Sequence, residues 1–194
     1  MTVTRCGWVG SEPLYVAYHD EEWGVPNGDS HALFEKMVLE GFQAGLSWIT
    51  ILRKREHFRH AFDSFEPTKI ACYDDAKRQA LLADPGIVRN RLKVEATIDN
   101  AKAYLRLSER TTFARFLWDF VDGRPLQNRR ATLKDVPPDT ELSRKISKAL
   151  KAEGFRFVGP TTVYAMMQAV GMVNDHITDC HRHDVCAAMQ PDVC

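Results

Sequence analysis

Two thiols and two imidazoles stand at opposite ends of this sequence. Cys6 and His19 lie in C-G-W-V-G-S-E-P-L-Y-V-A-Y-H, and His176 and Cys180 lie in N-D-H-I-T-D-C. Thiolate sulfur and neutral imidazole nitrogen suit Zn²⁺, and two of each complete a tetrahedral shell with no position left for water. A centre of that kind is structural and would join the N-terminal segment to the C-terminal one. The gap between the two pairs matches no zinc-finger spacing. A buried cysteine with surface histidines is the competing reading of the same four residues.

Composition narrows what such a site could serve. Lys and Arg number 26, and so do Asp and Glu, so the formal charge is zero. A neutral chain has no global field with which to attract nucleic acid, so any such contact must use a local basic face or backbone amides. The 194 residues suit one domain, or two small lobes sharing a core. No apolar run reaches membrane-spanning length, and the start M-T-V-T-R-C-G-W does not read as a signal peptide. Cysteines at 6, 72, 180, 186 and 194 are odd in number, which speaks against a disulfide framework. The expectation is a cytoplasmic protein with no membrane partner.

The elements that must bring the chemistry together are helical. Residues 1–28 are dense in turn formers and aromatics and read as irregular. Asp29 or Ser30 can cap a helix that carries Leu33, Met37, Val38 and Leu39 toward Gly41. A second helix runs roughly from Ser47 to Phe62, with Trp48, Ile51, Leu52, Phe58 and Phe62 near one face. Its other face, Arg53, Lys54, Arg55 and Arg59, is basic. Short helices over Pro67–Tyr73 and Asp74–Ala83 follow. A long one over Arg89–Leu107 places Leu92, Ala96, Ala101 and Leu105 inward. Thr112–Val121 is helical, Gly123–Pro138 is a connecting loop, and helices over Thr140–Glu153 and Thr161–Val170 close the pattern. No sustained strand alternation occurs, so the fold class is all-α.

Between the last two helices sits F-R-F-V-G-P-T-T, the layout of a helix-hairpin-helix element. A hairpin with Gly159 at its tip lets backbone N–H groups approach a DNA phosphate, helped by the N-terminal end of the next helix near Thr161. That grip needs little net positive charge. Gly-Pro between two helices also reads simply as a turn.

Six stretches considered together are more specific. R-C-G-W-V, P-L-Y-V-A-Y-H-D-E-E-W-G-V-P, L-E-G-F-Q-A-G-L-S-W-I-T-I-L-R-K-R, D-P-G-I-V-R-N-R-L-K, G-F-R-F-V-G-P-T-T-V-Y and G-M-V-N-D-H closely resemble the 3-methyladenine DNA glycosylase I family. That family belongs to the helix-hairpin-helix DNA glycosylase superfamily, and the resemblance runs from Arg5 to Cys180. It implies one catalytic domain over 1–194, built as two helical lobes, with the termini joined by one structural zinc on Cys6, His19, His176 and Cys180. The tail C-H-R-H-D-V-C departs from the family pattern and offers His181, His183 and Cys186 as substitute ligands.

The substrate so implied is 3-methyladenine in double-stranded DNA, taken by a protein acting as a monomer. Methylation at N3 makes the base cationic and a good leaving group, so recognition and positioning matter more than acid catalysis. The resemblance makes Trp48 the stacking platform, with Tyr18 and Trp8 enclosing the base and Tyr15 and Trp23 nearby. Glu40 would accept hydrogen bonds from the adenine edge, and Tyr18 would add a polar contact. Core packing is the alternative for Trp8, Tyr15 and Trp23, and a solvated helix position is the alternative for Glu40. Gly45 and Leu46 would press into the gap that an everted base leaves; an ordinary turn with Leu46 in the core competes.

Pro-Thr-Thr follows Gly159, where a lyase would carry a nucleophilic lysine, so hydrolysis by water is expected. Many members of the superfamily use an aspartate downstream of the hairpin to stabilise the sugar cation, and Asp175 falls near that position; because it adjoins His176 it reads instead as support for that ligand or a cap. Arg53, Lys54, Arg55, Arg89, Arg91 and Lys93 are available for phosphates, or merely solvated. A non-catalytic, zinc-stapled helical module that binds damaged DNA is the alternative function. A zinc hydrolase fits poorly, because its metal shell would be full.

Overall fold

The computed structural model describes residues 3–193. Ten α-helices succeed one another among them. These are α1 (Pro13–Glu21), α2 (Ser30–Gln43), α3 (Trp48–Ala61), α4 (Pro67–Ile70), α5 (Asp75–Ala83), α6 (Arg91–Ser108), α7 (Phe113–Trp118), α8 (Glu141–Ala152), α9 (Pro160–Ala169) and α10 (His183–Ala187). Two dipeptide strands, β1 (Leu126–Gln127) and β2 (Val173–Asn174), pair in parallel with Leu126 opposite Val173.

The hub is α2. Leu33, Phe34, Met37, Val38, Leu39 and Phe42 are all buried, and α3, α6, α7 and α9 pack around it. A helix that is apolar on nearly every side is one enclosed by others. Its start is set by Asp29, whose carboxylate accepts the Ala32 N–H at 2.6 Å and so satisfies one orphan donor of the first turn. Asn90 and Thr140 cap α6 and α8 in the same way. Rings of Phe42, Phe58, Phe62 and Phe65 join α2 to α3 and the turn beyond it, with neighbouring centroids 4.7–5.8 Å apart.

Four expectations are corrected. Residues 13–21, read as irregular, form α1: Pro13 at its first position supplies a helical φ, and its aromatics face two different sites rather than one stripe. Leu92 is 61% exposed and Leu105 only half-buried, while Lys93 lies inside. The long connection after α7 contributes β1 to a pairing with β2, so the chain is not wholly without strands. An additional short helix, α10, follows Cys180.

The basic face of α3 is used up by intramolecular ion pairs. Arg53 pairs with Glu12, Arg55 grips both oxygens of Glu22, and Arg59 bridges Glu35 and Glu56. Lys54 donates to the carbonyls of Pro85 and Gly86.

Candidate active site and candidate metal centre

Adjacent residues of α1 serve two different places. Tyr18 turns toward a cavity of about 340 Å³, and His19 turns toward the cysteines. The cavity lies between α1, α2, the start of α3 and α9. Trp8, Tyr15, Tyr18, Trp23, Glu40 and Trp48, all singled out from sequence, line it, together with Gln43, Leu133, Val136, Ala165, Gln168 and Asp175. The rings form a continuous wall: Trp8 is 4.9 Å from Tyr15 and 5.1 Å from Trp23, and Tyr18 is 5.4 Å from Trp48, centroid to centroid.

Glu40 is the one carboxylate that α2 brings to this wall. It is 4% exposed and accepts no hydrogen bond from any described residue. Burial pushes its pKa up to about 7, while the Lys36 ammonium one turn earlier pulls the other way. Lys36 lies 4.8 Å from the ring centroids of both Tyr18 and Trp48. Burial and the neighbouring Glu40 charge hold the Tyr18 phenol well above its ordinary range, so its O–H remains a donor. The Trp48 indole N–H is likewise buried without a partner. An aromatic cavity wall with the Glu40 acceptor and the Tyr18 and Trp48 donors suits a flat, polar-edged, electron-poor ligand.

Asp175 borders the same cavity, but its oxygens are occupied. Asn128 and Gln168 donate amide N–H groups at 2.7 and 2.8 Å, Tyr164 donates its hydroxyl at 2.5 Å, and Arg130 approaches to 3.5 Å. A carboxylate so saturated orients its neighbours rather than offering a free acceptor to a ligand. Sequence reasoning missed Lys36 and Gln168. The i, i+4 spacing of Lys36 and Glu40 was the available signal for the first; nothing local marks the second.

On the other side of α1, Cys6, His19, His176 and Cys180 converge, all buried, with their ligand atoms within 4.8 Å of one another. Cys180 Sγ is 3.5 Å from His19 Nε2 and 3.5 Å from His176 Nδ1, and Cys6 Sγ is 3.6 Å from His176 Nδ1. Zn–S bonds of about 2.3 Å and Zn–N bonds of about 2.0–2.1 Å at tetrahedral angles require S···N edges of about 3.5 Å. The residues therefore fit a tetrahedral S₂N₂ metal.

The second ring nitrogens are spoken for. His19 Nδ1 donates to Asp20 at 2.7 Å, and His176 Nε2 donates to the Trp23 carbonyl at 3.0 Å, which leaves the facing nitrogens with lone pairs. Arg5 grips Asp20 through two nitrogens and holds its carboxyl down at about 2. Gly24 is required here: its φ is +81°, and a Cβ would stand 2.7 Å from His176 Nε2. His181, His183 and Cys186, the substitutes suggested by the tail, are not among the four converging residues. His183 bonds Asp184 and the Asn128 carbonyl, and His181 bonds the Thr4 carbonyl.

Of the residues expected to face DNA, Gly45 and Leu46 form an exposed tip between α2 and α3; Leu46 is 44% exposed, so it is not a core residue. Gly159 caps α9 with open space around it, and Thr161 is exposed.

Solved structures of 3-methyladenine DNA glycosylase I resemble this chain throughout. One matches with a TM-score of 0.91 at 51% identity, over 93% of this chain and 100% of that one. The Staphylococcus aureus protein, whose structure concerns 3-methyladenine recognition, matches with a TM-score of 0.89 at 38% identity, over 92% of this chain and 96% of its own. The fold is that of the all-α DNA glycosylases. In sequence, DNA-3-methyladenine glycosylase 1 of Escherichia coli (strain K12) is 50% identical over 177 residues, 91% of this chain and 95% of that protein. The methyladenine glycosylase family profile matches residues 8–183, and the chain belongs to that family.

Proposed function

We propose that this protein is a DNA-3-methyladenine glycosylase, a monofunctional N-glycosyl hydrolase of base excision repair that excises 3-methyladenine from alkylated duplex DNA. The observation that carries this reading is the buried Glu40 carboxylate, which accepts no hydrogen bond from a described residue, on an aromatic-walled cavity. Lys36 offsets part of its charge, and a cationic base edge would supply the hydrogen-bond donors it lacks. The relatives bear the same activity in their names.

In this reading the everted base stacks on Trp48, with Tyr18 opposite and Trp8, Tyr15 and Trp23 closing the wall. Each aromatic contact to the cation contributes on the order of 0.5–2 kcal/mol. Glu40 orients the cationic base for departure. The base takes the pair of the bond to C1′ and leaves as neutral 3-methyladenine, and water adds to C1′ of the oxocarbenium-like sugar and loses a proton to solvent. Gly45 and Leu46 fill the vacated space, while the N–H groups at the start of α9, beyond Gly159 and near Thr161, take a phosphate in helix-hairpin-helix fashion.

Cys6, His19, His176 and Cys180 would hold one Zn²⁺, which supplies a cross-link between the termini and no chemistry at the base. The protein would act as one catalytic domain and as a monomer in the cytoplasm. Chromatography of bases released from methylated duplex DNA tests the activity: 3-methyladenine should appear in the soluble fraction. Binding to that DNA without release would leave a non-catalytic damage-binding module instead.

A further inference from the structure

The N-terminal turn of α6 carries a lysine whose charge points into the protein. Lys93 is 8% exposed, and its Nζ donates to the carbonyl of Phe42 at 2.8 Å and to that of Ala44 at 2.7 Å. Both carbonyls lie at the end of α2, where helical C=O groups lack intrahelical donors and the helix dipole is negative. The same Nζ lies 6.0 Å from the ring centroid of Phe157, in the hairpin between α8 and α9. Asn100, two turns further along α6, exchanges hydrogen bonds with the backbone of Arg156 in that hairpin, at 2.7 and 3.1 Å. One face of α6 thus touches both segments expected to meet DNA.

The tip beyond Ala44 has little support of its own. Gly45 has a φ of +84° with nothing within 4 Å of where a Cβ would stand, and Leu46 projects outward. Its other fixed points are the Leu46 N–H on the Gln43 carbonyl and the Ser47–Thr50 hydroxyl pair at 2.8 Å. Desolvating an ammonium is costly, and among the described residues the two carbonyls at the end of α2 and the Phe157 ring offset that cost. A lysine placed so expensively at the root of an exposed loop fixes where that loop starts.

We propose that Lys93 is a positioning residue: by clamping the last carbonyls of α2 beneath the hairpin, it aims the Gly45–Leu46 tip at the gap left by the extruded base. The inference rests on the reading of that tip as the element that fills the gap. Free 3-methyladenine leaves no gap, so its binding does not depend on the tip, whereas excision from duplex DNA does. A displacement of about 1 Å at such a site costs roughly ten- to a hundredfold in rate.

Single-turnover excision from methylated duplex DNA and the Kd for free 3-methyladenine, followed by tryptophan fluorescence, are measured for the wild type, Lys93→Met, Leu46→Gly and the double variant. Lys93→Met should slow duplex excision at least tenfold and leave the free-base Kd within twofold. The double variant should be no slower than Leu46→Gly alone, because Lys93 acts through the tip. Should Lys93→Met fail to fold, Lys93→Arg, which keeps the charge but not the single donor atom, should show the same split in smaller measure.

An unchanged duplex rate in Lys93→Met beside a slow Leu46→Gly overturns the proposal, as does equal weakening of free-base binding. A wild-type rate for Leu46→Gly would instead remove the gap-filling reading on which the proposal stands.

Discussion

The two sides of α1 differ in how completely their polar atoms are satisfied. In the Cys₂His₂ cluster the two ring nitrogens that face away from the sulfurs are held by Asp20 and the Trp23 carbonyl, Asp20 is held in turn by Arg5, and the remaining sulfur and nitrogen atoms face one another at metal-ligand spacing. In the cavity, the Trp48 indole N–H is buried without a partner, and the buried Glu40 carboxylate has the Lys36 charge nearby but accepts no hydrogen bond from a described residue. A closed shell is what a structural centre needs, since each unsatisfied group would cost stability. Open valences are what a binding site needs, since the ligand then supplies what folding left unmade. Tyr18 and His19, adjacent in sequence, sit on either side of this divide.

The largest test breaks the closed side. Cys6→Ser, or removal of bound metal by a chelator, should lower stability by about 3–5 kcal/mol, in line with the loss of one partner from a buried ionic set. For a chain of this length that is a drop in Tm of roughly 6–20 °C. Excision per folded molecule should stay near wild type. Purified protein that contains no zinc and melts as before would undo the contrast from its structural end.

Glu40→Gln tests the open side and should move function and stability in opposite directions. Losing the charged acceptor should slow excision roughly 30- to 100-fold, the equivalent of about 2–3 kcal/mol. Burial holds the folded pKa of Glu40 at about 7, above its ordinary value of 4.5. The folded state therefore binds this proton more tightly than the unfolded state, and the stability so gained is fully present below 4.5 and lost as pH rises through 7. Glutamine cannot ionise and escapes that loss, so the variant should melt higher than wild type at pH 8 by the equivalent of about 1–3 kcal/mol. Equal melting temperatures at pH 8 would mean that Lys36 fully offsets the burial of the charged Glu40.

A smaller effect sharpens the same point. kcat/KM of the wild type should fall with decreasing pH below a midpoint near 7, as Glu40 takes up its proton. Lys36→Met removes the nearby positive charge and should move that midpoint upward. A midpoint unchanged by the substitution would separate Lys36 from the acid limb.

The smallest expected effect lies on the α3 surface. Arg53→Ala should change excision less than twofold, because its guanidinium is already paired with Glu12 on an exposed face. A large salt-dependent loss would return that face to the DNA interface.

Much of this was legible in the residues because the information was local or strongly periodic. The apolar stripe of α2 and the Asp29 cap carry their meaning within a few positions. Residues 13–21 failed to read as a helix because α1 serves two sites and so has no single apolar face. The α3 arginines read as a free basic face because their carboxylate partners, Glu12, Glu22 and Glu35, lie 41, 33 and 24 residues away in sequence.

By itself the sequence determined which groups were available: two cysteines and two histidines able to ligate a metal, a set of large rings and a carboxylate on a central helix. Only the tertiary structure decided which of them would be left unpaired. Glu40 and Asp175 are both buried carboxylates beside the same cavity, yet Asp175 meets Asn128, Tyr164 and Gln168 while Glu40 meets rings. That difference comes from long-range packing of α2, α9 and the β1 connection. A hydrogen bond depends on ångström distances that no spacing along the chain can state.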